Sequence, residues 1–200
     1  MHKVIFLLSV IVGLGYANQD KLACMENNAS ACYAYALPLV TGENAKVQDH
    51  REEGLGYIRK SCILGYDKAC DLMGENYFKD ASYLAAKPYL EKSCDRGVKT
   101  ACESMGVIYR DAHDVKQDDV KAREFFDKAC TLNSPDACYN VAIIYRGGFG
   151  VEKSREKEKA YYKTSCEHGL KAGCDRYTEL DNEDKGIETG LWVKIKAIFN

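Results

Sequence analysis

The residues of this chain with the most distinctive chemistry are its ten cysteines, which form five pairs of the type C-x7-C. The pairs recur at intervals of 32 to 38 residues, and every cysteine belongs to one of them. Cysteines can form disulfides, bind a metal ion or act as thiolate nucleophiles. An even number of cysteines at a regular spacing favours disulfides. The predicted bridges are Cys24–Cys32, Cys62–Cys70, Cys94–Cys102, Cys130–Cys138 and Cys166–Cys174.

The other chemistries lack their usual partner residues. Structural zinc sites place cysteines two to four residues apart with histidine partners, but the four histidines are scattered, so no metal or other cofactor is predicted. Because each cysteine has a bridging partner, no thiolate nucleophile is expected. One Ser-x-x-Lys motif runs from Ser154 to Lys157, without the Ser-Asp-Asn and Lys-Thr-Gly motifs of serine β-lactamases. Ser154 is better explained as a helix N-cap, and the catalytic residues of any activity stay unassigned.

The start of the chain has the pattern of a secretory signal. A basic residue, an apolar run from Val4 to Leu14 and small residues up to Ala17 predict a signal peptide over residues 1–17. The run is about half as long as a membrane span needs, so we expect an exported protein, periplasmic or secreted, without a membrane anchor after cleavage. A net charge of −2 gives no electrostatic case for binding nucleic acid.

Alignment on the cysteines shows the elements that must position them. In the third copy Ala122, Phe125, Phe126 and Ala129 follow helical spacing up to the first cysteine and define one apolar face. A small residue four positions after the second cysteine, and usually tyrosine seven positions after it, define a second helical face. Glycine or asparagine stands three residues after every first cysteine, where it can close a helix in the left-handed conformation. These turn residues are Asn27, Gly65, Gly97, Asn133 and Gly169.

The turn between the cysteines makes each bridge possible. We call the helix that ends near the first cysteine helix B and the helix that the second cysteine opens helix A. Eight residues of straight helix span about 12 Å, whereas a disulfide needs Cα atoms within about 7 Å, so the chain must reverse. The predicted fold is all-α, a right-handed α-solenoid of disulfide-stapled antiparallel helix pairs over residues 18–180, with residues 181–200 as a capping helix or tail.

The repeat resembles a Sel1-like repeat, a relative of the tetratricopeptide repeat. The resemblance is carried by the segments from Ala101 to Cys130 and from Ala137 to Tyr162. With the C-x7-C pairs, the pattern over about residues 20 to 180 is similar to the Helicobacter cysteine-rich protein family. That resemblance implies penicillin binding with slow β-lactam hydrolysis, since members are often labelled β-lactamases. The alternatives are a non-enzymatic scaffold for proteins or peptides, and a secreted effector that contacts host proteins.

A ligand site is expected on the concave face of the A helices, by analogy with tetratricopeptide repeats. Mixed charges with tyrosine and asparagine would suit ligands whose amide groups need hydrogen bonds. The expected ligands are a peptide, a peptidoglycan fragment or a β-lactam, with a host or periplasmic protein as a further partner, and we expect a monomer. The predicted groove residues are Asp71, Glu75, Glu103, Arg110, Tyr139, Asn140 and Arg146.

Overall fold

The computed structural model describes residues 19–41 and 48–187, and the regular structure in these ranges is entirely helical. The predicted signal peptide and the end of the predicted tail, from residue 188 onward, lie outside the described residues. The helices are α1 (residues 19–25), α2 (Ala29–Thr41), α3 (Gln48–Ile63), α4 (Asp67–Lys79), α5 (Tyr83–Asp95), α6 (Lys99–Arg110), α7 (Asp119–Thr131), α8 (Pro135–Gly147), α9 (Arg155–Glu167) and α10 (Lys171–Asp184).

The chain divides into two compact units, Met1–Tyr89 and Leu90–Asn200. In the first unit a buried cluster joins α2, α3 and α4 around Ile58 and Met73. In the second unit the largest fully buried side chains are those of Tyr162, Phe126, Leu90, Met105, Ile108 and Val141. The apolar face predicted for each B helix is therefore the buried one. The residue four positions before the first cysteine is fully buried in four copies, as Ile58, Leu90, Phe126 and Tyr162.

The predicted turns close the B helices as expected. The five turn residues all have positive φ, from 62° at Asn133 to 98° at Gly169. At one of them Gly97 N donates to Cys94 O and Val98 N donates to Ser93 O, each at 3.0 Å. These bonds satisfy carbonyl groups that the end of α5 leaves unpaired.

The A helices begin one turn earlier than predicted. Each starts three residues before the second cysteine, as α6 does at Lys99, so the cysteine lies within the first turn rather than opening the helix. The residue before α6, Val98, is extended with ψ of 102° and supplies no side-chain cap. The left-handed residue and one extended residue are thus sufficient to reverse the chain, and the helix can start at once. At the other end, α10 continues to Asp184, past the boundary expected at residue 180.

Every predicted disulfide is present, and the described residues contain no free cysteine. The Cα–Cα distances lie between 4.4 Å and 4.7 Å, within the range that a disulfide requires. Each bridge joins the end of one B helix to the first turn of the next A helix; Cys94 and Cys102 join α5 to α6 and are fully buried. The five bridges indicate a non-reducing environment, extracellular or periplasmic.

Buried serines show that paired helices run antiparallel. Ser61 Oγ, near the end of α3, donates to Ala29 O at the start of α2 at 2.6 Å. Ser165 Oγ, near the end of α9, donates in the same way to Pro135 O at the start of α8 at 2.8 Å. The sequence pattern predicted only a small residue at these positions. The structure adds a hydrogen bond that stabilises the packing of α2 with α3 and of α8 with α9.

Close packing between paired helices requires the small residue of helix A. At Gly106 a Cβ atom would lie only 2.6 Å from Cε1 of the buried Phe126 ring. One turn later the rings of Tyr109 and Phe125 stack with centroids 5.8 Å apart. On α6, Gly106 therefore packs against the Phe126 ring and Tyr109 against the Phe125 ring of α7. Within the described residues, no helix combines the length and the apolar composition that a membrane span would need.

Candidate functional site

The predicted binding residues lie on α4, α6 and α8, which are the more enclosed helices. No residue of α4 between Ala69 and Phe78 is exposed, nor any residue of α6 between Ala101 and Arg110. The B helix α7, by contrast, exposes Val120, Lys121 and Glu124. Polar side chains on the A helices are therefore half-buried beside their neighbours. Groups in such partly enclosed positions can orient a ligand by hydrogen bonds with less competition from water.

In the first unit the structure brings Asp71 and Glu75 together. They line a shallow pocket of about 260 Å³ with Tyr33, Lys68 and Leu72. Burial raises the pKa of the Tyr33 phenol, and the nearby Tyr66, Asp71 and Glu75 add to that rise. The phenol therefore remains a protonated donor beside two carboxyl groups, which offer acceptors to the amide or amino groups of a ligand.

In the second unit the structure brings Arg110 and Asn140 together at a cavity of about 350 Å³. Nη1 of Arg110 on α6 donates to Oδ1 of Asn140 on α8 at 3.2 Å. The same guanidinium donates to both carboxylate oxygens of Asp111, at 2.7 Å and 2.8 Å. This bidentate contact raises the pKa of Arg110 and lowers that of Asp111. Arg110 is thus a fixed, neutralised group at the edge of the cavity.

The walls of this cavity were not among the predicted residues. They are mostly apolar, and two polar side chains are added by Gln117 in the loop before α7 and by Asp119 at the first position of α7. Apart from Ala122, which belongs to the apolar face predicted for helix B, these residues fall between the repeating framework positions, so alignment of the copies could not single them out. The exposed aromatic ring in the short loop after α8 was the one available signal. The additional lining residues are Gln117, Asp119, Ala122, Ile143, Ile144 and Phe149.

The remaining predicted groove residues have different surroundings. Tyr139 packs against the buried cluster of the last repeat, with its ring centroid 5.0 Å from that of Tyr162. Its side chain is therefore largely a packing group. Glu103 is half-buried on α6, and Arg146 is exposed near the end of α8. Neither Glu103 nor Arg146 lines the two cavities described above.

Both Ser154 and Lys157 of the Ser-x-x-Lys motif make contacts that have a structural role. Ser154 is the N-cap of α9, and its Oγ accepts a hydrogen bond from Lys157 N at 3.2 Å. The Lys157 ammonium lies 4.9 Å from the centroid of the Tyr145 ring, a cation–π contact. The N-cap explanation of Ser154 is confirmed. Across the described ranges no group of three or more histidine, cysteine, aspartate and glutamate side chains could hold a metal ion.

Comparison with known proteins identifies the repeats. The Sel1 repeat model matches residues 100–134 and 135–170. The protective antigen c5321 of uropathogenic Escherichia coli, which has an SLR fold, is 20% identical with a TM-score of 0.67 over 84% of this chain. A Sel1 repeat protein from Oxalobacter formigenes is 18% identical with a TM-score of 0.67, covering 88% of this chain and 73% of that one. Helicobacter pylori cysteine rich protein B is 28% identical with a TM-score of 0.46, covering 59% of this chain and 92% of its own.

The two matched repeats span α6 to α9, the segments in which the aligned residues predicted a Sel1-like pattern. The match to c5321 covers 36% of that longer chain. None of the curated proteins matches this sequence. The likenesses to c5321 and to the Oxalobacter formigenes protein confirm the predicted all-α fold of paired helices, and residues 100–134 and 135–170 are two Sel1 repeats by their match to the family model.

Proposed function

We propose that this protein is a non-enzymatic scaffold that binds an extended segment of a partner protein on its A helices. The observation that carries the proposal is the cavity between α6, α7 and α8, where Arg110 and Asn140 hold each other beside apolar walls. Sel1 repeat proteins are generally protein-interaction scaffolds, and the cavity supplies what such a role requires.

The lining of the cavity matches the two kinds of group that a peptide presents. Ile143, Ile144 and Phe149 offer an apolar surface for a side chain. Asn140 and Gln117 carry amides that can donate to a backbone carbonyl and accept from a backbone N–H. Arg110 is already paired with Asp111, so an uncharged segment could bind there without leaving a buried charge unpaired.

The environment of Ser154 gives no support to hydrolysis. Its hydroxyl caps α9, and the Lys157 ammonium lies over the Tyr145 ring. Both side chains therefore make structural contacts. We therefore treat penicillin and peptidoglycan fragments as competing ligands rather than as substrates. The proposal includes export to the periplasm or beyond the cell with residues 1–17 as the signal, and a monomeric protein whose five bridges form after export.

The test is a selection of random peptides on the oxidised mature chain, residues 18–200, followed by anisotropy titration of the best binder. Asn140→Ala should weaken binding about tenfold, or about 1.4 kcal/mol, as expected for one hydrogen-bonding group. Glu124→Ala on the exposed face of α7 is the control and should bind as wild type does. Penicillin and a muropeptide are added as competitors.

Two results would contradict the scaffold function. One is a selection that retains no peptide while penicillin or the muropeptide binds directly. The other is an equal loss of affinity in Asn140→Ala and Glu124→Ala, because that would place the bound segment away from the A helices.

A further inference from the structure

One carboxylate in the cavity between α6, α7 and α8 has no counter-ion within the described part of the chain. Asp119, at the first position of α7, is half-buried and lines the cavity. Its Oδ1 accepts a hydrogen bond from Gln117 Nε2 at 3.0 Å, and it forms no ion pair with any other described residue. A partly desolvated charge costs free energy unless it is paired, so this carboxylate favours a ligand that brings a positive charge.

The other charged residue that lines the cavity is already balanced. Arg110 donates to both carboxylate oxygens of Asp111, at 2.7 Å and 2.8 Å. Lys153, in the loop after α8, is exposed and does not line the cavity. The lining therefore keeps the single negative charge of Asp119, which is complementary to a monovalent cation.

The following copy has a paired charge at the same position. Arg155 stands where Asp119 stands, counted from the first cysteine of each copy. Arg155 forms ion pairs with Glu183 at 2.7 Å and with Asp184 at 3.0 Å, at the end of the next A helix. In this repeat the position therefore places a charged side chain at the end of the following A helix.

In the copy that contains Asp119, the facing positions carry no side chain. Counted from the second cysteine, the places of the two acidic residues of α10 are taken by Gly147 and Gly148 at the end of α8. Neither glycine can supply a counter-ion. The charge of Asp119 is thus left for a group that comes from another molecule.

An exposed aromatic ring lines the same cavity near this carboxylate. Phe149 is 48% exposed, and its ring lies so close to Gly147 that a Cβ atom there would overlap it. At the next residue, a Cβ atom on Gly150 would lie only 3.0 Å from Asp119 Cβ. The loop after α8 therefore brings the ring to the side of the cavity where the carboxylate lies. The faces of aromatic rings attract cations, so the ring and the carboxylate favour the same kind of ligand.

We propose that this cavity binds the cationic side chain of a lysine or arginine from the partner segment. The aliphatic stem of such a side chain can pack on Ile143 and Ile144, while its charged head contacts the Asp119 carboxylate and the Phe149 ring. The cavity, of about 350 Å³, lies at the small end of the range of ligand pockets and suits one side chain. The inference rests on the proposed peptide-binding function and specifies the anchor residue of the bound segment.

Three peptides that differ at one residue test this site on the oxidised chain of residues 18–200. Each is acetylated and amidated and has the sequence Gly-Ala-X-Ala-Gly, where X is lysine, norleucine or glutamate. Norleucine retains the aliphatic stem of lysine without the ammonium group. Titrations are followed through the side-chain amide resonances of Gln117 and Asn140, which line the cavity. We expect these resonances to shift with the lysine peptide at concentrations at least tenfold lower than with the other two.

Two asparagine substitutions separate the cavity from the general charge of the protein. Asp119→Asn retains an acceptor for Gln117 and should weaken binding of the lysine peptide about tenfold, to the affinity of the norleucine peptide. Asp114→Asn is the matched control and should bind as wild type does. It removes the same charge from an exposed position in the loop that leads to α7, and asparagine tolerates its φ of 53°. Phe149→Leu retains an apolar side chain without the ring and should weaken binding of the lysine peptide more than that of the norleucine peptide.

Equal affinities of the lysine and norleucine peptides, or an equal loss of affinity in Asp114→Asn and Asp119→Asn, would overturn the cation site. So would the absence of any shift of the Gln117 and Asn140 amides with the lysine peptide. A shift of these amides with protein concentration alone would also overturn it, because a second copy of the chain would then occupy the cavity.

The peptide selected from the random library distinguishes this failure from that of the scaffold. If Asn140→Ala weakens its binding but Asp119→Asn does not, the cation site is wrong and the scaffold function stands. If Asn140→Ala and Glu124→Ala weaken it equally, the scaffold function fails as well.

Discussion

The packing of paired helices predicts opposite effects for two glycine-to-alanine substitutions. In Gly106→Ala the new methyl group would lie 2.6 Å, 2.7 Å and 2.8 Å from three carbons of the Phe126 ring. The ring is fully buried, so it cannot move without disturbing its neighbours, and such overpacking costs about 1–3 kcal/mol. Alanine recovers about 1 kcal/mol of helix propensity, and the net loss of stability should be about 1 kcal/mol.

Gly56→Ala is the matched control, because this glycine is also inside a helix but has no atom within 4 Å of the added Cβ. It should gain up to about 1 kcal/mol. The melting temperatures of the two variants, followed by far-UV circular dichroism, should therefore differ by roughly 4–8 °C. Phe126→Leu makes room at the contact and should reduce the cost of Gly106→Ala. Equal stabilisation by both alanines would refute the close packing of α6 on α7.

Three further substitutions test the staple, the turn and the serine. Replacing Cys94 and Cys102 together with alanine should cost about 2.5 kcal/mol by the loop-entropy relation and lower the melting temperature by roughly 5–10 °C; no change would mean that the bridge does not stabilise the helix pair. In urea denaturation Gly97→Val should lose about 1–2 kcal/mol more than Val98→Ala, because Gly97 has φ of 87°; equal midpoints would contradict the left-handed turn. Ser154→Ala should lose a cap worth about 1 kcal/mol and leave any hydrolysis of a chromogenic cephalosporin intact; loss of hydrolysis in a folded variant would identify a serine nucleophile.

Local features of the fold could be predicted from the sequence because their causes are local. The left-handed residue after each first cysteine lies between the two cysteines that it brings together. Gly65 and Asn133 therefore predicted both the turn and the disulfide. The helix faces followed from spacing within one copy. The start of the A helices was misplaced by one turn. Val98 precedes α6 without a capping side chain and gives no sequence signal, whereas Ser134 caps α8 and was a signal that went unused.

Features that depend on neighbouring copies could not be predicted in the same way. Arg110 and Asn140 were predicted as separate groove residues, whereas the structure joins them by a hydrogen bond at the edge of a cavity. Tyr139 was predicted as a groove residue, and the structure adds that its ring packs on Tyr162. The signal peptide and the tail beyond residue 187 stay predictions.

The most direct test of the account is to locate a bound peptide on the protein. The selected peptide is added to the ¹⁵N-labelled, oxidised chain, and amide chemical shifts are mapped along the sequence. The account predicts that the largest changes occur on the A helices α6 and α8, around Arg110 and Asn140, which line the cavity. Changes confined to the exposed face of the B helices, around Glu124 on α7 and Lys163 on α9, would contradict it.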